Sequence, residues 1–540
     1  MKKSVIIISL VIIILISLGL KLSVTNFSTF PDEDAVGYIL DAIGHTKGDF
    51  SPNPAKTLGW SLFLSPFFEL LNFEKFLDYS DAARAISIVI SLFSIFVMYL
   101  LSRKFFSEKY SLVAASLFAF EPHLNYNSGQ ALSEPLFILL FMVSFYFILN
   151  QKSKLVYLPF LFTGLLVWVR LPGIIMLIAM SIIFFYHSKF SSKTIAKYLF
   201  CLSIFFFVIT PILYNRYDTY GDPLYFELGS SMFTGEFGTL QSENTKNLEY
   251  SALDYIDDNS MFEFIDRFIL TGILNIFEQL IKISFPYLII LLPIGILFSF
   301  RAFDQNQKSI NENWILIITT LSLMVITFSV IPERRFLFYI LPFLIIFATI
   351  PIQRLIEYGL STFSFSKKQK HYSLFIILGL IIVLSSLFMM RYDVTEKSEE
   401  EEQIKLAKLL QVEISGNILD AGNTLRGLDF IKLSDYDPKL NSVEQNNLNP
   451  LKLINDEIKI ISIFGTTLDN FILNSEKENL RYIAINQDGV TEIWYPFLSD
   501  IYENEQQYDY LKKIIDTDKL GFKEFKIKVF KIDYDRFKNP

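Results

Sequence analysis

Apolar and polar stretches alternate on the scale of a membrane over the first 390 residues, and then the rhythm changes. Runs long enough to cross a hydrocarbon core, roughly 17 to 25 residues, fall at 4–21, 83–102, 110–127, 134–150, 155–170, 172–187, 197–214, 283–300, 313–331, 336–353 and 373–390. This predicts a polytopic α-helical bundle of about eleven transmembrane helices over residues 1–390. Two polar intervals are long, 21–82 and 215–282. In the second, Gly221-Asp222-Pro223 marks a turn. From Met261 to Ser284 apolar residues recur at helical spacing with Glu263, Asp266, Arg267 and Glu278 between them. That pattern suits an amphipathic helix lying on the membrane and, equally, a buried helix continuing into the next span.

Beyond residue 390 the membrane pattern stops. Glu396 to Glu402 opens an acidic helix ending near Val412, and strand-like runs follow at 458–464, 480–485 and 525–532 with helical segments between them. Residues 391–540 are therefore expected to form a soluble α/β domain, large enough for its own core. It has neither a Gly-rich phosphate loop nor a triad-like grouping, so no catalytic role is assigned to it.

Composition agrees, with 52% hydrophobic residues and 55 Phe in 540. The net charge of -8 resides in 391–540, which holds 20 Lys+Arg against 28 Asp+Glu; nothing there suggests nucleic acid. The single cysteine, Cys201, sits in an apolar run and rules out an intrachain disulfide or CxxC site, while four scattered histidines argue against His-based zinc. Lys2 and Lys3 precede an apolar core from Val5 to about Leu20 with no small-x-small site after it, which predicts a signal anchor. Lys2, Lys3, Arg103, Lys104, Lys193, Lys367 and other basic residues fall on one side of the predicted spans. The N-terminus is therefore expected in the cytoplasm and the C-terminal domain outside, in a multi-pass cell-membrane protein.

This sidedness puts an acidic cluster, Asp32-Glu33-Asp34, at the outer face with residues 128–134, Arg170, 214–270 and Pro332-Glu333-Arg334-Arg335. A solvated loop would explain the acids alone. The arginines there run against the charge bias, and a negatively charged ligand is the simplest reason for them. Glu134-Pro135 has a plain reading too, as a favourable charge and a proline at a helix start. Interfacial snorkelling is the corresponding reading for Arg170 and Arg335.

Taken in order, these motifs resemble the GT-C superfamily of polyprenyl-phosphate-sugar-dependent glycosyltransferases. The nearest likeness is to the branch containing protein O-mannosyltransferases and the lipid A aminoarabinose transferase, and it covers residues 1–390. Asp34, Tyr38 and Ala42 match the spacing of the family's first-loop motif. Ala35 stands where a Glu is usual, so Asp32 and Glu33 remain alternatives to Asp34. Lys56-Thr57-Leu58-Gly59-Trp60 is similar to a Lys-Pro-Pro-x-Gly-aromatic stretch without its prolines. Ser133-Glu134-Pro135 resembles the second acidic motif, Arg170-Leu171-Pro172-Gly173 an Arg-Pro-x-Gly signature, and Arg334-Arg335 to Pro342-Phe343 an Arg-Tyr-to-Pro-Phe helix start.

The resemblance implies transfer of a sugar from a polyprenyl- or dolichyl-phosphate carrier to a protein, lipid or glycan acceptor at the outer face, with inversion. It implies Asp34 as general base and Lys56, Arg170, Arg334 or Arg335 on the phosphate. For some members it also implies a divalent cation (Mg or Mn) on residues such as Asp32, Asp34 and Glu134. The competing classes are a transporter or lipid flippase with the same charges lining a pathway, and an inactive relative acting as an assembly partner.

Overall fold

The structure, a computed structural model, describes residues 3–27, 31–150, 155–188, 190–225, 232–233, 251–300, 306–421, 425, 427–428, 458–461, 463, 467–487 and 495–539. Most of the polar middle of the 215–282 interval lies outside them. The chain divides into two units.

The first unit comprises Met1–Phe73, Asp78–Tyr225 and Phe262–Tyr392. Its helices are α1 (Lys3–Val24), α2 (Glu33–Thr46), α3 (Gly59–Leu71), α4 (Phe76–Ser102), α5 (Glu108–Ala119), α6 (Pro122–Ser128), α7 (Glu134–Ile148), α8 (Leu158–Val169), α9 (Gly173–His187) and α10 (Ser192–Tyr220). After the second long interval come α11 (Met261–Ile283), α12 (Leu288–Ser299), α13 (Gln307–Val330), a 3-10 turn (Arg334–Ile340), α14 (Leu341–Arg354) and, up to Tyr392, α15 (Lys367–Glu413).

Among the described residues, six of the eleven expected spans coincide with helices long and apolar enough to cross a membrane: α1, α4, α10, α13, α15 and the stretch Arg334–Thr362. Helices α7, α8 and α9 are apolar but shorter. The expected span 110–127 is divided. Pro122 cannot continue the helical ladder of α5, and the Glu121 carboxylate caps the new helix by accepting from the Leu124 amide at 2.6 Å. Helix α11 meets α12 at a bend of 117° around Ser284–Tyr287, so no straight helix runs on into the next span.

Packing centres on α14, which is buried almost throughout and lies against α5 and α12. Phe343 meets the Phe141 ring of α7 edge-on at 4.7 Å. Helix α8 packs among α3, α7, α9 and α10, so its C-terminal end is fixed on several sides.

The second unit comprises Glu74–Leu77, Phe226–Met261 and Asp393–Pro540. It contains a five-stranded sheet of order β2-β1-β3-β5-β4, formed by β1 (Gly416–Asp420), β2 (Ile458–Ile460), β3 (Leu480–Asn486), β4 (Leu511–Asp516) and β5 (Ile527–Ile532). β1 runs parallel to β2 and β3, while β5 is antiparallel to β3 and β4. Strand alternation sends Ile418, Tyr482, Ala484 and Val529 to one core with Leu406 and Leu410. It sends Leu419, Ile483, Ile485 and Phe530 to a second core with Phe471 and Ile472. Burial on both faces explains the nearly continuous apolar runs.

Three expectations for this unit change. Strands β1 and β4 carry too short or too mixed a pattern to stand out in the sequence. The run at 458–464 is strand only over Ile458–Ile460, with Ser462 and Phe464 outside the described residues. The acidic helix has no separate start, because α15 runs unbroken from Lys367 to Glu413.

Within this unit the Glu402 carboxylate accepts from the amides of Lys523, Glu524 and Phe525 at 2.7, 2.9 and 3.0 Å. Those amides are thereby occupied before β5 begins. Glu402→Ala is expected to lower stability by about 1.5–3 kcal/mol, the range for hydrogen bonds to a charged group. Hydrogen exchange on the full chain should quicken at 523–525 and stay unchanged in β1.

Candidate active site

Asp32 caps α2, its carboxylate accepting from the Asp34 amide at 3.0 Å. Asp34 thereby falls in the first turn, where the positive end of the helix favours an anion. Its side chain meets two cations, Arg335 at 2.5 Å and Lys56 at 3.8 Å. Burial pushes the Asp34 carboxyl up, but Arg335 and Lys56, helped by Arg170, outweigh it and hold it below the ordinary carboxylate value. The Glu33 side chain lies outside the described residues. Of the two acids whose side chains are described, Asp32 is the cap and Asp34 pairs with the cations.

Lys56 reaches Asp34 by lying across α2. A Cβ at Gly37 would stand 2.2 Å from its ammonium, so a larger residue there would push the lysine tip off this path. The ammonium donates to the Asp34 carbonyl at 2.9 Å and sits 5.3 Å from the centre of the Tyr38 ring. The next residues lock down. Thr57 Oγ1 donates to the Val169 carbonyl at 2.5 Å and Trp60 Nε1 to the Ala131 carbonyl at 2.8 Å. Gly59 lies against the end of α8, where a Cβ would come within 2.4 Å of the Trp168 carbonyl. The loop is thus tied to the residue before Arg170 and to the approach to Glu134.

Glu134 opens α7 with Pro135 behind it and is buried. Its Oε1 pairs with Arg170, the residue that ends α8. The Arg170 guanidinium lies over the rings of Phe336 and Tyr339, at 5.5 and 5.7 Å. Ser133 Oγ donates to the Tyr38 hydroxyl at 3.5 Å, and burial pushes the Tyr38 phenol up. Glu134 thus has both the place of a favourable charge at a helix start and an ion pair with Arg170.

The 3-10 turn carries Arg335 inward, where it also pairs with Glu333. Arg334 is exposed and is not among the cations that hold Asp34. The structure thus brings Asp34, Tyr38, Lys56, Glu134, Arg170 and Arg335 together and leaves Arg334 outside.

Among the described residues no three His, Cys, Asp or Glu side chains converge as a metal site. The carboxylates of Asp34 and Glu134 each face a guanidinium. This donor set does not fit a divalent cation.

The sequence reading missed Asp41, Asn53, Arg216 and Tyr339. Asp41 lies two helical turns from Asp34 on α2, accepts from Asn53 Nδ2 at 3.4 Å, and faces Lys56. Burial pushes its carboxyl up to about 6 against the opposing pull of Lys56. The seven-residue spacing from Asp34 was the available signal.

With this geometry established, similarity to known proteins becomes informative. Residues 60–214, less than a third of the chain, match the profile of the family described as dolichyl-phosphate-mannose-protein mannosyltransferase. Among solved structures, the fold is similar to the apo oligosaccharyltransferase of Archaeoglobus fulgidus, at 13% identity over 95% of this chain and 73% of that one, with a TM-score of 0.58. The chain has a GT-C fold. The same archaeal enzyme, AglB, in complex with an inhibitory peptide and a dolichol-phosphate, matches with a TM-score of 0.55 at 13% identity over 95% and 73% of the two chains. ArnT from Cupriavidus metallidurans bound to undecaprenyl phosphate matches at 9% identity over 96% of this chain and 97% of that one, with a TM-score of 0.53. No curated protein matches at the level of sequence. In this GT-C bundle the charged cluster lies where the starts of α2, α7 and the 3-10 turn meet the end of α8.

Two outcomes follow from these contacts. Arg170→Ala leaves the Glu134 carboxylate buried and unpaired, and thermal unfolding in detergent should show a loss of about 3–5 kcal/mol, with Glu134→Gln in the same chain recovering most of it. Because Asp41 is raised in the folded state, wild-type stability should fall as pH rises from about 4 through 6 and then level off. Asp41→Asn should flatten that interval.

Proposed function

We propose that the chain is a membrane glycosyltransferase that moves a sugar from a polyprenyl-type phosphate to an acceptor hydroxyl, with Asp34 as general base. One observation carries this reading: a half-buried carboxylate at a helix start is held by Arg335 and Lys56 with Arg170 close by, a cluster able to exchange its anion for a phosphate. The lipid phosphates bound in two similar structures, dolichol-phosphate and undecaprenyl phosphate, suggest the class of donor.

In the free protein Asp34 is a poor base because its cations stabilise the ionised form. A donor phosphate competes for the same cations. As Arg335 and Lys56 turn to the phosphate oxygens, burial is left as the main influence on Asp34, and its proton affinity rises. The base is thus readied by the arriving donor. The acceptor O–H attacks the anomeric carbon opposite the phosphate, its oxygen forms the new glycosidic bond, and its proton passes to Asp34. The bond from the anomeric carbon to the phosphate oxygen breaks with its electron pair on the phosphate, and the anomeric centre inverts. Charge grows on the leaving phosphate, where fixed cations in an apolar setting stabilise it most. The reaction is placed at the extracytoplasmic face on the distribution of basic residues. Mannose or another hexose is the default sugar, and a protein, lipid or glycan the acceptor.

Sugar transfer from a panel of radiolabelled polyprenyl-phosphate sugars to host membrane extract tests this. Asp34→Asn should lower transfer by about 10²–10⁴-fold, the share of a general base. Arg335→Ala should lower it by about 10²-fold. Full transfer by a folded Asp34→Asn protein would remove Asp34 as base, and no transfer from any donor would sink the glycosyltransferase reading.

A further inference from the structure

The end of α10 makes contacts that the proposed reaction does not use. Arg216 is buried, an expensive place for a guanidinium unless its donors are met. It donates through Nη2 to the carbonyls of Asn53 and Lys56, at 3.1 and 2.7 Å, and through Nη1 to the carbonyl of Tyr225. Its neighbours work on the same loop. Asn215 Nδ2 donates to the Phe50 carbonyl at 3.1 Å, and the Tyr220 hydroxyl to the Pro52 carbonyl at 2.5 Å. Three side chains from the last turns of α10 therefore meet four carbonyls between residues 50 and 56. Within that loop Asn53 Oδ1 accepts from the amides of Ala55 and Lys56, at 2.9 and 3.1 Å, and Asn53 Nδ2 reaches Asp41.

From this geometry we infer that Arg216 is a positioning residue for Lys56, gripping the lysine backbone so that its ammonium stays across Gly37 and beside Asp34. The fork of the guanidinium suits the task, because one nitrogen spans two carbonyls three residues apart. A loop of this kind ordinarily has several backbone states, and a flexible lysine at its end would spend much of its time elsewhere. Holding Asn53 and Lys56 from α10 removes that freedom before any ligand arrives. The inference rests on the proposed function only in taking Lys56 as a phosphate ligand.

The test has two arms on the full-length protein in detergent. In the first, acylation of Lys56 by a small amine-reactive reagent is followed by peptide mass spectrometry, with exposed Lys282 as internal control. Arg216→Ala should raise the Lys56 rate about fivefold, the size of a contact coupling, and leave Lys282 unchanged. In the second, Arg216→Ala should lower kcat/KM for donor about tenfold in the wild-type background and leave it unaltered in Lys56→Ala, since the two act as one unit. Unchanged Lys56 labelling overturns the inference, as does an equal loss in the Lys56→Ala background. If Arg216→Ala fails to fold, Arg216→Gln takes its place in both arms. A wild type that transfers no sugar defeats the proposed function, while the labelling arm still decides whether Arg216 holds Lys56.

Discussion

A carboxylate and its cations in an apolar bundle must satisfy one another, and that constraint shapes the whole functional end of this molecule. Asp34 is held by Arg335 and Lys56, and Glu134 by Arg170. None of these groups could be buried alone, because an unpaired charge in a low-dielectric interior forces either neutralisation or unfolding. Pairing permits burial, and burial makes the charges strong. The same arrangement leaves two carboxylates and three cations within reach of one another, ready to rearrange around an anion.

Geometry of this kind needs rigid support, and backbone carbonyls supply much of it. Thr57, Trp60, Arg216, Asn215 and Tyr220 all donate to main-chain oxygens, stitching residues 50–60 to the ends of α8 and α10 and to the approach to α7. Two glycines make the fit possible, Gly37 by letting Lys56 cross α2 and Gly59 by letting the loop touch the end of α8. The prolines that the family resemblance leads one to expect after the lysine are Thr57 and Leu58 here. The Thr57 hydroxyl bond to Val169 fixes the backbone in their stead.

Much of the site was legible in the chain because charge in an apolar sequence is conspicuous. Asp34, Lys56, Glu134, Arg170 and Arg335 stand out against their surroundings and come together in space. Arg334 stood out equally and is exposed. Adjacent residues on a 3-10 turn point to different sides, and no pattern in Arg334-Arg335 says which side is inward. Arg216 was passed over because it sits in a polar stretch where a charge is ordinary, and Asp41 because it matches no motif, although Leu40 and Ala42 flank it. Their meaning lies in carbonyls and an amide contributed by a loop more than 150 residues from Arg216 and about a dozen from Asp41.

By itself the sequence determined the class of molecule: a multi-pass helical membrane bundle followed by an α/β domain, with acidic and basic motifs in an order that matches the GT-C fold. Hydrophobic length and strand alternation are local properties, so they can be read residue by residue. Only the tertiary structure decided how α5 and α6 divide, where α11 and α12 bend, and that β1 and β4 complete the sheet. It alone separated Asp32 as cap from Asp34 as the group facing the cations. Those outcomes depend on which donor meets which acceptor across the fold, and hydrogen bonding between distant segments leaves no periodic trace in the chain.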